Sequence, residues 1–430
     1  MTTQKNTDLP LQGERYISRE FFAREWENVW AKTWLIMGRA DEIPEAGDFF
    51  VEDIGPESIL IVRQADTGIR AFYNVCQHRG NRLAVVPDGS MDTFTCSYHG
   101  WKWGLDGACL EAQDAEDFTP NPCGHAQLEE LRCDVFAGFV WINMDPECAS
   151  LKTFLGPIWD EWAAYPMEQM TRVQAISVRM PCNWKTVQDN FHETYHVATA
   201  HPLGLNSVED DYRLTAITLY EGGHALGVTQ GSIPARRKFG DNPSLGEQIR
   251  MELQTWDLNP DDFQGREYET RIALQARKRQ LGPERGFSHY NKMSDAQLTD
   301  TFHYTVFPNF ATSINSDGML YLRALPHPTD PELCVFDCWF YAAGAENAYT
   351  RLLTENGDAS RLAGPAPREW RNYGEGTLGV ILDGDAVVMA DQQRALHSRG
   401  YKGSRLAHQE RRVQQYHDMI DRYMEGYRPR

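Results

Sequence analysis

The chain has 430 residues, 41% hydrophobic and 24% charged, a balance that excludes collagen-like, coiled-coil and wholly disordered proteins and leaves room for two or three domains. Its 61 acidic against 42 basic side chains give a formal charge of −19, which repels nucleic acid and anionic membrane surfaces at long range. Nine cysteines are too sparse for a disulfide scaffold and odd in number, so reduced thiols or metal ligands in a cytoplasmic setting are expected. The most apolar stretch, Val135 to Met144, is too short to cross a bilayer. Neither a nucleic-acid nor a membrane partner is expected.

A polar tail leads into an amphipathic helix from Ser18, where Phe21, Phe22, Trp26, Val29 and Trp30 recur at helical spacing. From Trp34 to Met144 short apolar or alternating runs (Phe49 to Val51, Ser58 to Val62, Ile69 to Val75, Val135 to Ile142) are broken by Gly, Pro and Asp, the texture of a small all-β domain. Leu151 to Met170 reads as a connector, with a domain boundary near 155–165. Beyond it, strands (Ala216 to Tyr220, Gly318 to Leu325, Leu333 to Tyr341) mix with helical stretches (Ser244 to Asp257, Glu267 to Arg279, Arg405 to Tyr427). The fold class expected is α+β. The polar stretch 230–300 is expected to contain a mobile loop or lid.

Two segments, CQHRG at 76–80 and CSYHG at 96–100, place Cys76, His78, Cys96 and His99 in two Gly-bearing loops. Two thiolates and two imidazoles are the set a Rieske [2Fe–2S] centre needs, the thiolates holding one iron and the histidines the other. A structural zinc site usually has two to four residues between paired ligands, whereas one separates Cys76 from His78. These boxes resemble those of Rieske domains, including Arg79, Gly80, Tyr98, Gly100 and Trp101. Asn81 and Tyr98 stand where respiratory Rieske proteins carry an extra disulfide pair, so the resemblance is to the oxygenase and ferredoxin branch. Such a cluster transfers single electrons, and the remaining chain must supply the chemistry downstream.

In NWKTVQDNFHETYHVATAHP (183–202), Trp184, Val187, Phe191, Tyr195 and Ala198 form one apolar helix face, with Asp189, Glu193 and His196 opposite. Pro202 disfavours α geometry at His201 and is expected to end the helix there. The run from His192 to His196 also satisfies HExxH, the pattern of a zinc metalloprotease. A hydrolase has no use for the Rieske set upstream, which weighs against that alternative.

The same segment resembles the mononuclear iron motif of Rieske non-haem iron oxygenase large (alpha) subunits, with Asn190, Glu193, Tyr195, His196 and His201 in the motif's places. The resemblance implies His196 and His201 as iron ligands. The third is Asp385, at the matching offset before Gln393-Arg394-Ala395-Leu396, with Asp383 its competitor. It implies Asn190 near the iron and Glu193 as the carboxylate linking one subunit's Rieske histidines to a neighbour's iron histidines. Glu stands there where ring-dihydroxylating members commonly have Asp, as in members acting on quaternary ammonium compounds. The expected organisation is an N-terminal segment (1–38) packing with the catalytic part, an all-β Rieske domain (39–158), and a catalytic domain (159–430) with a long antiparallel sheet covered by helices. Phe307, Pro308, Asn309 and Phe310 resemble a segment bordering the family's pocket.

The implied activity is that of a terminal oxygenase with a [2Fe–2S] cluster, a mononuclear Fe(II) and O₂ as co-substrate. Electrons would come from NAD(P)H through a flavin-containing reductase, with or without a ferredoxin. The expected assembly is a homotrimer, with or without a small beta subunit. Hydroxylation of an aromatic substrate is the first expectation; oxidative demethylation or monooxygenation of a quaternary ammonium or methoxy compound is the alternative.

Overall fold

A computed structural model describes residues 11–343 and 365–429; the first ten residues of the expected polar tail lie outside them. By its internal contacts the chain falls into two compact units, one formed by Arg24–Phe154 with Pro326–Asp330 and the last residues, the other by residues 11–23, Leu155–Leu325 and Pro331–Glu425. The N-terminal stretch is thus divided, with residues 11–23 grouping apart from residues 24–38.

The Arg24–Phe154 unit contains β1 (Leu35–Arg39), β2 (Asp48–Ile54), β3 (Glu57–Arg63), β4 (Ile69–Tyr73), β5 (Asp88–Ser90), β6 (Phe94–Thr95), β7 (Lys102–Trp103), β8 (Cys109–Glu111), β9 (Glu130–Phe136) and β10 (Phe139–Asn143). Seven form one sheet in the order β1-β10-β9-β4-β3-β2-β5, and β6, β7 and β8 form a second. In β3, Ile59, Leu60, Ile61 and Val62 are all fully buried, so this continuous apolar run is a strand covered on both faces. Phe49, Leu60, Phe72, Leu83, Trp101 and Trp103 pack into one cluster that also encloses Cys76 and Cys96. Burial of each such large side chain stabilises the unit by about 1.5–3 kcal/mol.

The run Val135 to Ile142 is a hairpin. Ala137 and Gly138 carry φ of 55° and 78°, the left-handed pair a tight turn between twisted strands requires, and β9 folds back on β10 with Phe136 facing Phe139.

The second unit is built on an eight-stranded sheet of β11 (Thr171–Met180), β12 (Ala216–Leu219), β13 (Ala225–Thr229), β14 (Thr301–Val306), β15 (Phe310–Ile314), β16 (Gly318–Pro326), β17 (Cys334–Ala342) and β18 (Glu369–Asn372). Its order is β12-β13-β14-β15-β16-β17-β11-β18. The run β12 to β16 and the β11/β17 pair are antiparallel, and β18 joins β11 in parallel. β16 and β17 are buried along nearly their whole length, as strands covered on both faces must be. Arg323 and Asp337, both 0% exposed, meet at 2.6 Å inside this sheet.

Helices lie at Trp184–Phe191, Glu247–Thr255, Thr270–Leu281, Val380–Ala395 and Arg411–Met424. The second and third occupy the stretch expected to hold a mobile loop or lid, and their buried Ile249, Leu253 and Leu274 face inward. The connector after Leu151 is two short helices, Leu151–Leu155 and Pro157–Trp162, the second begun by a proline at the position where a missing N–H costs nothing.

Candidate metal centres

The two Cys-His loops repeat one backbone design. Cys76 N–H donates to the Asn81 carbonyl at 2.8 Å and Gly80 N–H to the Cys76 carbonyl at 3.0 Å; Cys96, Trp101 and Gly100 repeat both bonds at the same lengths. Gly80 and Gly100 sit at φ of 76° and 70°, which only glycine adopts without strain. The thiols are buried, and the imidazoles of His78 and His99 stand together, ring centroids 4.6 Å apart. His78 also stacks on Trp101 at 4.7 Å, and its buried Nδ1 has no hydrogen-bond partner. Burial pushes the Cys76 thiol up. Burial works the same way on Cys96, but the Tyr98 and His99 backbone N–H groups and the neighbouring Cys76 hold it below its ordinary value. Two buried, adjacent thiols and two converging imidazoles, one with an orphaned nitrogen, fit the [2Fe–2S] ligand set.

In the second unit the helix Trp184–Phe191 begins at Asn183, whose side chain accepts from Lys185 N–H, an N-cap contact. It stops ten residues short of His201, against expectation. The cause is local: the Glu193 carboxylate accepts from the backbone N–H groups of Tyr195 and His196, diverting the chain before Val197–Ala200 forms one more turn. A consequence is that Tyr195, expected on an apolar face, is exposed. Before Pro202 the turn does end, and His201 adopts φ −126°, ψ 56°.

This break lets His196 and His201 face one another, ring centroids 5.1 Å apart. Asp385, from the helix Val380–Ala395, reaches both: its Oδ1 lies 2.8 Å from His201 Nε2 and 3.4 Å from His196 Nε2. All three offer ligand atoms within 4.8 Å of one another. Asp385 and His201 are buried at 2% and 6% exposure. Burial would raise the Asp385 carboxyl, but the two imidazoles outweigh it and hold it at about 2. Burial likewise opposes charge on His196, which Asp385 and Glu193 lift to about 9. Two imidazoles and one carboxylate on one side of a site make a facial triad suited to Fe(II). Glu193 Oε1 stands 2.6 Å from His196 Nδ1, which leaves Nε2 on the side of Asp385, where it could bind a metal. The buried Asn190 turns toward Asp385 without reaching hydrogen-bond geometry.

The structure separates the competing candidates. Asp383 is engaged elsewhere, accepting from Leu378 N–H at 2.7 Å and Thr377 hydroxyl at 2.5 Å just ahead of its helix. His192 is buried with Nδ1 on the Gln188 carbonyl at 2.6 Å and its ring on Tyr416, and burial takes it down to about 3. It is not brought to His196, so the HExxH geometry does not form. Phe307, Pro308, Asn309 and Phe310 make the β14/β15 turn, where the Asn309 carbonyl accepts from Gln188 of the motif helix at 2.9 Å.

Several supporting residues carry no spacing signal. Asp189, expected on the helix face shared with Glu193 and His196, is held by Tyr16 hydroxyl at 2.5 Å and His417 at 2.9 Å. His303 reaches the Phe191 carbonyl at 2.6 Å. Arg412, 2% exposed, meets the His303 carbonyl at 3.5 Å, and burial draws its guanidinium down to about 10. Each joins elements more than 100 residues apart.

Among the described residues no helix is long and apolar enough to cross a membrane. Residues 33–126 match the Rieske [2Fe–2S] domain and residues 167–426 the ring-hydroxylating alpha subunit catalytic domain. The carnitine monooxygenase oxygenase subunit of Escherichia coli K12 is 36% identical over 198 residues, covering 46% of this chain and 53% of that one. The glycine betaine monooxygenase oxygenase subunit of Chromohalobacter salexigens is 33% identical over 222 residues, 50% of this chain and 49% of that one. The chain thus spans about half the length of these curated relatives. Biphenyl 2,3-dioxygenase subunit alpha of Rhodococcus jostii is 31% identical over 334 residues, 74% of this chain and 65% of that one. Among solved structures, a quaternary ammonium Rieske monooxygenase superposes with TM-score 0.70 at 20% identity, covering 96% of this chain and 95% of that one. Naphthalene 1,2-dioxygenase does so with TM-score 0.68 at 20% identity, covering 97% and 93%. These matches imply a [2Fe–2S] cluster and a mononuclear iron, and the chain belongs to the ring-hydroxylating alpha subunits, with a Rieske domain preceding their catalytic domain.

Proposed function

We propose that this chain is the terminal oxygenase component of a Rieske monooxygenase that oxidises a small nitrogen-bearing substrate. The observation that carries the reading is the convergence of His196, His201 and Asp385 in a chain that also presents the Cys76, His78, Cys96 and His99 set. In this reading residues 39–158 carry the cluster, residues 159–430 carry the mononuclear iron, and of the N-terminal segment residues 11–23 pack with the latter. The cluster supplies single electrons and the mononuclear iron supplies reductive activation of O₂.

The chain's own groups do the positioning. His196 and His201 present Nε2 atoms on one side of Asp385, whose buried carboxylate stays ionised because both imidazoles face it. Glu193 fixes the His196 ring and tautomer by taking its Nδ1–H, as second-layer carboxylates do, while tying down the backbone of Tyr195 and His196. The same carboxylate is proposed to link a neighbouring subunit's Rieske histidine to His196 in a homotrimer, with or without a small beta subunit. A flavin-containing reductase, with or without a ferredoxin, supplies electrons from NAD(P)H, and the setting is cytoplasmic.

The carnitine and betaine relatives and the Glu at 193 favour N-demethylation: R₂N–CH₃ + O₂ + 2e⁻ + 2H⁺ gives R₂NH, formaldehyde and water. The biphenyl dioxygenase match supports a second reading, arene dihydroxylation. Protein reconstituted with iron and a surrogate reductase, offered methylated amines and arenes, distinguishes them. Formaldehyde release with the amines is expected; a cis-diol from the arenes alone overturns the demethylase reading.

A further inference from the structure

We propose that Gln393 is a positioning residue for the mononuclear iron: it pins the helix Val380–Ala395 at the axial position from which Asp385 reaches His196 and His201. The proposal rests on the oxygenase reading only in taking the metal to be iron.

The helix Val380–Ala395 packs on the motif helix Trp184–Phe191 and buries Leu382, Asp385, Ala386, Met389, Ala390 and Gln393. Gln393 meets the start of the motif helix. Its Oε1 accepts the Asn183 backbone N–H at 2.9 Å and the Thr186 hydroxyl at 3.3 Å, and its Nε2 donates to Glu332 at 3.2 Å. A backbone N–H only donates, so these partners set the orientation of the amide. Asp385 lies two turns earlier, about 12 Å along the axis, and meets the two histidines that follow the other end of the motif helix. The two helices therefore run antiparallel, fastened at one end by an amide and at the other by the metal ligands.

The apolar part of the buried face does not fix that position. Ala386, Met389 and Ala390 are small or pliable, and apolar contact has no direction. A slide by one turn, about 5.4 Å, exchanges one apolar neighbour for another but carries Asp385 away from both imidazoles. The same slide breaks all three hydrogen bonds of Gln393 inside the protein, where an unmade bond is heavily penalised. The other end of the pin is itself held. Asn183 Nδ2 donates to the carbonyls of Tyr16 at 3.0 Å and Pro331 at 2.7 Å, and its side-chain oxygen accepts the Lys185 N–H at 2.9 Å. Asp385 and His201 are 184 residues apart, so no local spacing keeps them in register and a tertiary contact must.

The test is retention of the mononuclear iron by the purified holoprotein against graded chelator. Iron assay, cluster absorbance and thermal midpoint are read on the same samples. Gln393→Met keeps the length of the side chain and removes its hydrogen bonds; it is expected to weaken iron about tenfold or more with the cluster colour intact. Met389→Ala removes packing from the same face and should lower the thermal midpoint while holding iron as the wild type does. Gln393→Glu sets a second carboxylate against Glu332 and should also weaken iron. Adding Glu332→Gln exchanges donor and acceptor and should recover most of the wild-type retention, a rescue that general destabilisation does not produce. If Gln393→Met fails to fold, the Gln393→Glu pair decides. Wild-type retention in Gln393→Met overturns the proposal, as does iron loss in Met389→Ala as large as in Gln393→Met, or a double variant no better than Gln393→Glu alone. Wild-type protein that carries the cluster but no mononuclear iron would instead refute the oxygenase reading.

Discussion

Glu193 and His196 are bound twice over: the carboxylate lies 2.6 Å from the ring Nδ1 and accepts the His196 backbone N–H at 3.1 Å. The contact that fixes the imidazole is thus also the contact that ends the helix. Glu193→Gln keeps the shape and an acceptor but removes the charge. Both metals should be retained, and reductase-driven turnover should fall about 10–100-fold. Metal analysis beside steady-state O₂ uptake reads both; full turnover in the Gln variant would leave Glu193 a purely structural cap.

The triad makes a residue-specific prediction. His196→Ala, His201→Ala and Asp385→Ala should each lose the mononuclear iron while keeping the colour of the cluster. His192→Ala and Asp383→Ala should keep both, the latter at a cost of about 1 kcal/mol from its lost hydrogen bonds to Leu378 and Thr377. Iron assay with visible absorbance checks each variant, and loss of iron in His192→Ala with retention in His201→Ala would reverse the ligand assignment.

At Gly80 and Gly100 an added Cβ would meet nothing within 4 Å, so only the backbone conformation resists substitution. Gly80→Asn should hold the cluster, since Asn tolerates left-handed geometry, whereas Gly80→Val should bleach it, paying roughly 1–2 kcal/mol or more in strain. Absorbance after anaerobic purification compares the two. Equal retention would mean that the loop has another conformation available.

Asp337 sets an acid limit on stability. Burial would raise its carboxyl, but Arg368 and Arg323 outweigh burial and hold it below the usual range. Its stabilisation is fully present above the unfolded value of about 3.9 and is lost as pH falls through the lower folded value. Asp337→Asn, which removes the charged partner the fully buried Arg323 meets at 2.6 Å, should cost about 3–5 kcal/mol at neutral pH and flatten the pH dependence below 4. Urea midpoints of both proteins across pH 3–7 measure this, and parallel curves would contradict it.

The Cys-His loops and the order of the metal motifs were legible because their information is local: a ligand, its partner two or three residues on, and a glycine at the turn. Asp385 was reachable only through resemblance, since nothing near it marks the helix that carries it to His201. The break at His192 was hidden because helical spacing takes no account of a side chain capping its own backbone. The hairpin within Val135 to Ile142 is hidden because a two-residue turn inside an apolar run does not interrupt its hydrophobicity. Asp189 with Tyr16 and His417 depends on chain crossings of 173 and 228 residues that no window of sequence contains.

Iron stoichiometry and visible spectrum of the purified protein, measured together with the Asp385→Ala variant, test the central claim most directly. The account predicts a reddish-brown protein with about three irons per chain, two in the cluster and one at the triad, falling to about two in the variant with the colour intact. A colourless, zinc-loaded protein, or a variant that keeps the third iron, would contradict it.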